Sequence, residues 1–263
     1  MKNKINTWDE KYALRKKQFD KLIDFLKKET NYVKKLNKSN TISLFGHRKT
    51  AKEKLYFIFI DCLNASGGNN LTNSGKGSKT FLKVLNSLNN KKEIKFEEFC
   101  TALKCNVDSK ELFQNISNNK FKNFGYKKAA LFLKSIHFLQ STKDNKIFND
   151  LSPNEIHRPI PLDIVISEIV SQIMRLKYTD RIKTNDAKQF NQWAEKKFIK
   201  EYYLLEDLWF WGYYTQSMAK NKYRTIEFNE AKLVTNLWFY PESEPNIKPK
   251  LEEFARLIKS LKK

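Results

Sequence analysis

Phe19, Leu22, Ile23, Phe25 and Leu26 recur at three- and four-residue spacing, the period of a helix with one buried face. Thr7-Trp8-Asp9-Glu10 has the form of a capping box and opens this helix, which the pattern carries to Leu36. Lys11, Lys16, Lys17, Lys21, Lys27 and Lys28 line its other face, as on a solvated surface. The polar stretch Asn37 to Thr50 reads as a loop. The dense apolar run from Lys54 to Ser66 is a helix or a buried strand, long enough for a central helix. Gly67 to Ser78 reads as a polar loop. Its Gly75-Lys76-Gly77-Ser78 lacks the spacing of a nucleotide-binding P-loop, so an open loop or a backbone contact to DNA suits it better. Helical periodicity returns from Lys79 to Leu88, then in short pieces at Phe96–Leu103 and Ser109–Ile116.

After a polar break at Ser117-Asn118-Asn119-Lys120, the string Phe121-Lys122-Asn123-Phe124-Gly125-Tyr126-Lys127-Lys128 runs into a helix reaching Leu139, with Ala129, Ala130, Leu133 and Ile136 inside. Gln140 to Asn149 reads as a loop. Ser152-Pro153-Asn154-Glu155 is a capped helical turn, and Pro159 and Pro161 enforce extended backbone before Asp163. Asp163 stands at the N-cap of a helix from Ile164 to Leu176. A helix from Gln189 to Phe198, an aromatic segment from Leu204 to Gly212, an apolar segment around Val234 to Tyr240 and a basic amphipathic helix from Lys250 to Leu261 complete the chain.

Only 7 Gly and 6 Pro in 263 residues argue for a helical fold over a turn-rich β one, and 20 Phe with 5 Trp can fill a core. The expected class is all-α. The formal charge of +21 calls for a polyanionic partner, nucleic acid before an anionic membrane. A Lys- and Asn-rich composition produces some of that charge anyway, so charge alone does not name the partner. Cys62, Cys100 and Cys105 have no ligand spacing and fit a reduced, cytoplasmic setting. No signal peptide and no membrane-length apolar run stand in the sequence.

The hairpin string carries the chemistry. Asn123 and Gly125 tolerate positive φ, so a tight turn before the helix is expected, with backbone N–H groups facing outward. A helix N-terminus of this kind binds phosphate. Lys127 and Lys128 oppose the helix dipole, which suggests a role other than helix stability.

This string resembles the hairpin of the helix-hairpin-helix DNA glycosylases, Leu-Pro-Gly-Val-Gly-x-Lys-x-Ala. Phe121 takes the Leu place, Lys122 the Pro, Asn123 the first Gly and Gly125 the second. Lys127 falls on the catalytic lysine and Ala129 on the packing alanine. Downstream, Ile160-Pro161-Leu162-Asp163-Ile164-Val165 is similar to the family's Val-Pro-Val-Asp-x-His, with Asp163 on the catalytic aspartate and Val165 at the His place. The long connection from Lys127 to Asp163 is similar to that of the archaeal-type 8-oxoguanine glycosylases.

The resemblance implies two helical lobes with a DNA-binding cleft. One lobe would run over residues 52–150 and carry the hairpin at 117–139. The other would join residues 1–51 to 151–263 and carry Asp163. It implies a monomer that acts on double-stranded DNA holding a damaged base, in a prokaryotic, nucleoid-associated setting. Lys127 would attack C1′ of an extruded nucleotide to form a Schiff base, once the helix N-terminus and the surrounding cations lower its pKa. Asp163 would stabilise positive charge on the sugar. Lys128, about 100° away on the helix, is the rival amine or a phosphate contact. Gly125 and Asn123 would grip the backbone. Asn64, in Leu63-Asn64-Ala65-Ser66, is either a contact to the opposite base or an ordinary helix end. Trp209 or Trp211 would offer a wall to a flipped purine, or both are core. A monovalent cation at the hairpin is the one accessory expected; no iron–sulfur cluster and no metal cofactor are implied. A monofunctional glycosylase and a non-enzymatic DNA-binding module remain alternatives.

Overall fold

A computed structural model describes residues 3–65, 71–121, 124–218, 224–235 and 247–262. Regular structure is helical almost throughout. The one sheet among the described residues is a two-stranded antiparallel ladder, Gln216–Met218 (β1) against Arg224–Ile226 (β2). The chain divides into two compact units. One is Asn37–Pro161; the other joins Met1–Leu36 to Leu162–Lys263. The divisions therefore fall within a helix and after Pro161, not at 51/52 and 150/151.

The N-terminal boundary moves because the expected loop at Asn37 to Thr50 is largely helical. Helix α1 (Lys4–Leu14) is capped by Asn3, whose side chain accepts from Ile5 N, so Thr7 lies inside the helix and its capping box does not form. The chain breaks at Arg15 and resumes as α2 (Lys16–Thr41). A π-helical turn, Ile42–Gly46, extends α2 and buries Phe45. A sequence signal that had gone unread starts the next helix. Thr50 and Glu53 form a reciprocal capping box at the start of α3 (Ala51–Asn64).

In the unit Asn37–Pro161, α3 is the central helix, packed against α4 (Leu71–Asn86) and α7 (Tyr126–Gln140). Helix α4 begins eight residues before the expected start at Lys79, so the segment at Gly75 to Ser78 has helical backbone rather than an open loop. Helices α5 (Phe96–Ala102) and α6 (Ser109–Asn115), with a π-helical turn over Ile116–Lys120, lead to the hairpin. The core is aromatic. Phe59 of α3 stacks on Phe81 of α4 with centroids 4.0 Å apart and on Phe124 at 4.4 Å. Phe121 and Phe132 meet this stack edge-on.

The expected polar loop after α7 is organised from within. Gln140 is buried, and its amide is fully used. It donates to Phe148 O and Leu151 O and accepts from Ile147 N and Phe148 N. Lys54, 1% exposed, donates to Asn145 O and Lys146 O at 3.1 Å each. Burial lowers the Lys54 pKa.

The other unit has its own aromatic core. Trp8, Tyr12, Phe19, Trp193 and Phe198 meet largely edge-to-face. A second cluster joins Phe25, Trp211 and Phe254. Arg15 ties the unit together by donating to Ile173 O at the end of α8 (Ile164–Ile173) and to Leu261 O at the end of α12 (Ile247–Leu261). Helix α9 (Ala187–Phe198) leads through a 3₁₀ stretch to α10 (Leu208–Thr215). A Cβ at Gly212 would come within 2.5 Å of Val165 Cγ1, so α10 approaches α8 at a distance only glycine allows. Helix α11 (Glu230–Thr235) precedes α12, and most of the apolar segment around Val234 to Tyr240 lies outside the described residues.

Phe59→Ala removes the ring shared by both stacks and should destabilise the unit Asn37–Pro161 by about 3–5 kcal/mol. Chemical denaturation followed by hydrogen exchange in α3 and α7 checks this; an unchanged midpoint would contradict it.

Candidate nucleic-acid interface

The hairpin before α7 is pinned by its own aromatic residues. Phe121 and Phe124 are both fully buried, and Phe124 N donates to Phe121 O at 3.0 Å. Asn123 and Lys122, and with them the expected turn carbonyls for a hairpin cation, lie outside the described residues. Gly125 is the N-cap of α7, with φ −87° and ψ −170°. This is extended backbone, so the expectation of positive φ at Gly125 is corrected. A Cβ built there meets nothing within 4 Å, so internal packing does not demand glycine either. Gly125 O accepts from Ala129 N, and Gly125 itself has no side chain to cap the helix. Two lysines follow in the first turn.

Those lysines differ. Lys127 and Lys128 are both half-buried. Lys128 Nζ donates to Leu63 O at 2.8 Å, in the last turn of α3. A cation at that position satisfies an end carbonyl and complements the dipole of α3. Burial lowers the Lys128 pKa; Cys62 opposes this, and the neighbouring charge of Lys127 adds a smaller lowering. Lys128 was expected to face phosphates; its ammonium instead donates to a carbonyl inside the fold, which makes it a strut between α3 and α7. The strut has a consequence for Asn64, the exposed last residue of α3. The end of α3 and the start of α7 are held together, so Asn64, Gly125, Lys127 and Lys128 gather at one end of the unit. Asp61 shares the last turn of α3, and burial raises its carboxyl pKa. The signal for Asp61 was present as the lone acid in the apolar run Tyr56 to Leu63, but sequence reading passed over it.

Asp163 belongs to the other unit. It is 6% exposed and caps α8, its Oδ1 accepting from Val165 N at 2.9 Å and Ile166 N at 3.0 Å. These two bonds orient the carboxylate and involve only one of its oxygens. In the same unit, Trp211 is fully buried between Phe25 and Phe254. It is a core ring and not the wall of a base pocket. Helical spacing turns it inward, whereas Trp209 and Tyr213, four residues apart, stack on each other at 5.4 Å on a half-exposed face.

Among the described residues, no three His, Cys, Asp or Glu side chains come together as metal ligands, and no helix is long and apolar enough to cross a membrane. Comparison with models of protein families, with characterised proteins and with solved structures finds no match to this chain.

The capping and chemical roles of Asp163 separate by substitution. Asn caps as well as Asp. Asp163→Asn should therefore hold stability close to the parent, while Asp163→Ala loses about 0.5–2 kcal/mol. Thermal unfolding of both variants checks this, and equal losses in the two would show that the charge itself matters to the fold.

Proposed function

We propose that this protein is a DNA glycosylase with β-lyase activity, of the helix-hairpin-helix kind, that removes a damaged purine such as 8-oxoguanine. The observation that carries the reading is the first turn of α7, which follows Gly125 at the N-cap and holds Lys127 and Lys128 side by side. The formal charge of +21 supports it by favouring a phosphate backbone as partner.

In this reading the N–H groups at Gly125 and the residues after it hold a strand phosphate. Lys127 supplies the amine. Its lone pair attacks C1′ of the extruded nucleotide, the bond to the base breaks, and the base leaves with the glycosidic electrons. Asp163 stabilises the positive charge on the sugar. The attacking nitrogen gives up a proton, the C1′–O4′ bond breaks with a proton delivered to O4′, and the resulting Schiff base permits loss of the 3′ phosphate by β-elimination. Trp209, the half-exposed tryptophan of the pair, offers a flat face to a purine. A lesion in double-stranded DNA is the substrate, and the chain acts as a monomer in the bacterial or archaeal cytoplasm.

Two observations favour alternatives. Burial leaves Lys128 more readily deprotonated than an ordinary lysine, which fits a nucleophile. The capping bonds of Asp163 account for that residue without chemistry, which fits a DNA-binding module. A monofunctional glycosylase, with both lysines incidental, would release the base without a covalent adduct.

Borohydride trapping on duplexes carrying single lesions distinguishes these. The expected outcome is a covalent adduct that Lys127→Gln abolishes and Lys128→Gln retains. An adduct lost only in Lys128→Gln would transfer the role to that residue. Base release without an adduct would indicate the monofunctional enzyme, and binding without base release the module.

Gly125→Ala tests the phosphate grip. The new methyl enters open space at an allowed φ, so folding should be little changed. A phosphate seated against the backbone would be displaced, costing one charge-assisted hydrogen bond, about 1.5 kcal/mol or roughly tenfold in affinity. Duplex binding at fixed salt reads this; unchanged affinity would remove Gly125 from the interface.

A further inference from the structure

Helix α5 ends in a Schellman cap. Lys104 N donates to Thr101 O at 2.9 Å, Cys105 N donates to Cys100 O at 3.0 Å, and Lys104 takes the left-handed conformation with φ 55°. In this motif the residue two past the cap returns onto the third-last residue of the helix, and their side chains touch. That contact is ordinarily between two hydrophobic groups. Here both positions are cysteine. The Cys105 thiol donates to Cys100 O at 3.6 Å, which seats it over the residue that carries the second thiol.

We propose that Cys100 and Cys105 form a dithiol modification site that closes to a disulfide under peroxide. A disulfide needs Cα atoms roughly 4.4–6.8 Å apart, a span that a six-residue chain reversal closed by an N–H to C=O bond can meet. The two thiols are unequal. Cys100 is fully buried, and burial above all raises its pKa well above the ordinary thiol range. Cys105 is half-buried and meets the oxidant first. Its thiolate attacks one oxygen of hydrogen peroxide, the O–O bond breaks, and the departing hydroxide is protonated to water. Cys100 sulfur then attacks the sulfenic sulfur of Cys105. The S–S bond forms, the S–O bond breaks, and the hydroxide leaves as water with the Cys100 proton. Overall, two thiols and one peroxide give one disulfide and two waters. Cys62 sits buried in α3, where burial raises its pKa strongly, and it takes no part. This site does not depend on the reading of α7.

The sequence makes the product easy to read. Cleavage after lysine separates Cys100, in residues 96–104, from Cys105, in residues 105–110. After native peroxide treatment and blocking of free thiols, the two peptides should be recovered joined, with Cys62 alkylated. Cys105→Ser should abolish the link and leave Cys100 a free thiol. In an oxidant-free arm, phenylarsine oxide, which bridges paired thiols, should protect Cys100 and Cys105 together from alkylation in the native protein. Recovery of Cys105 as sulfinic acid with Cys100 free, or a link through Cys62, would overturn the proposal. So would arsenical protection of one thiol without the other.

Discussion

Phe59 holds two rings in parallel contact, one from the following helix and one from the hairpin. Its stacks on Phe81 and Phe124 tie α3, α4 and the turn before α7 into a single packed object. The hairpin contributes Phe121 and Phe124 to that core, so its position depends on burial of apolar area rather than on local turn preference. Burying rings on this scale contributes several kcal/mol. A tight turn alone supplies far less order. The candidate interface at the start of α7 inherits its rigidity from this stack.

Around that core, several long polar side chains are satisfied by backbone. Gln140 uses its amide on four backbone groups, Lys54 bridges two carbonyls, and Lys128 holds the end of α3. In the other unit, Arg181 meets both oxygens of buried Glu168, and Arg15 joins the ends of α8 and α12. Leaving any of these carbonyls or charges without a partner would cost more than the bond itself contributes. Long polar side chains therefore act here as internal ties, and this changes how a basic sequence is read. Of the lysines that make the chain strongly cationic, some are structural. Surface charge is correspondingly smaller than the formal sum implies, and Lys128 shows the distinction directly.

Lys127 and Asp163 stand in different local settings. Lys127 sits in the first turn of a helix whose N-cap is Gly125, in the unit Asn37–Pro161. Asp163 is itself a cap, oriented by Val165 N and Ile166 N, in the unit that resumes at Leu162. An N-cap carboxylate is fixed in direction and close to the positive end of a dipole.

Periodicity was enough to reveal α-helical class, the central helix through Phe59, the helix that starts at Tyr126, and the cap at Asp163. Each of these rests on neighbours within a few residues, where spacing and cap chemistry act directly. Helix lengths were less legible. The polar runs at Asn37 to Gly46 and before Lys79 have helical backbone, and in the first of them burial of Phe45 outweighs local polarity. Which lysine is a strut, which tryptophan is core and how the loop after α7 is held could not be read along the chain. Those depend on contacts such as Lys128 with Leu63, Trp211 with Phe25 and Phe254, and Lys54 with Asn145. They join residues far apart in sequence, and a linear pattern carries no record of which distant group a side chain will meet.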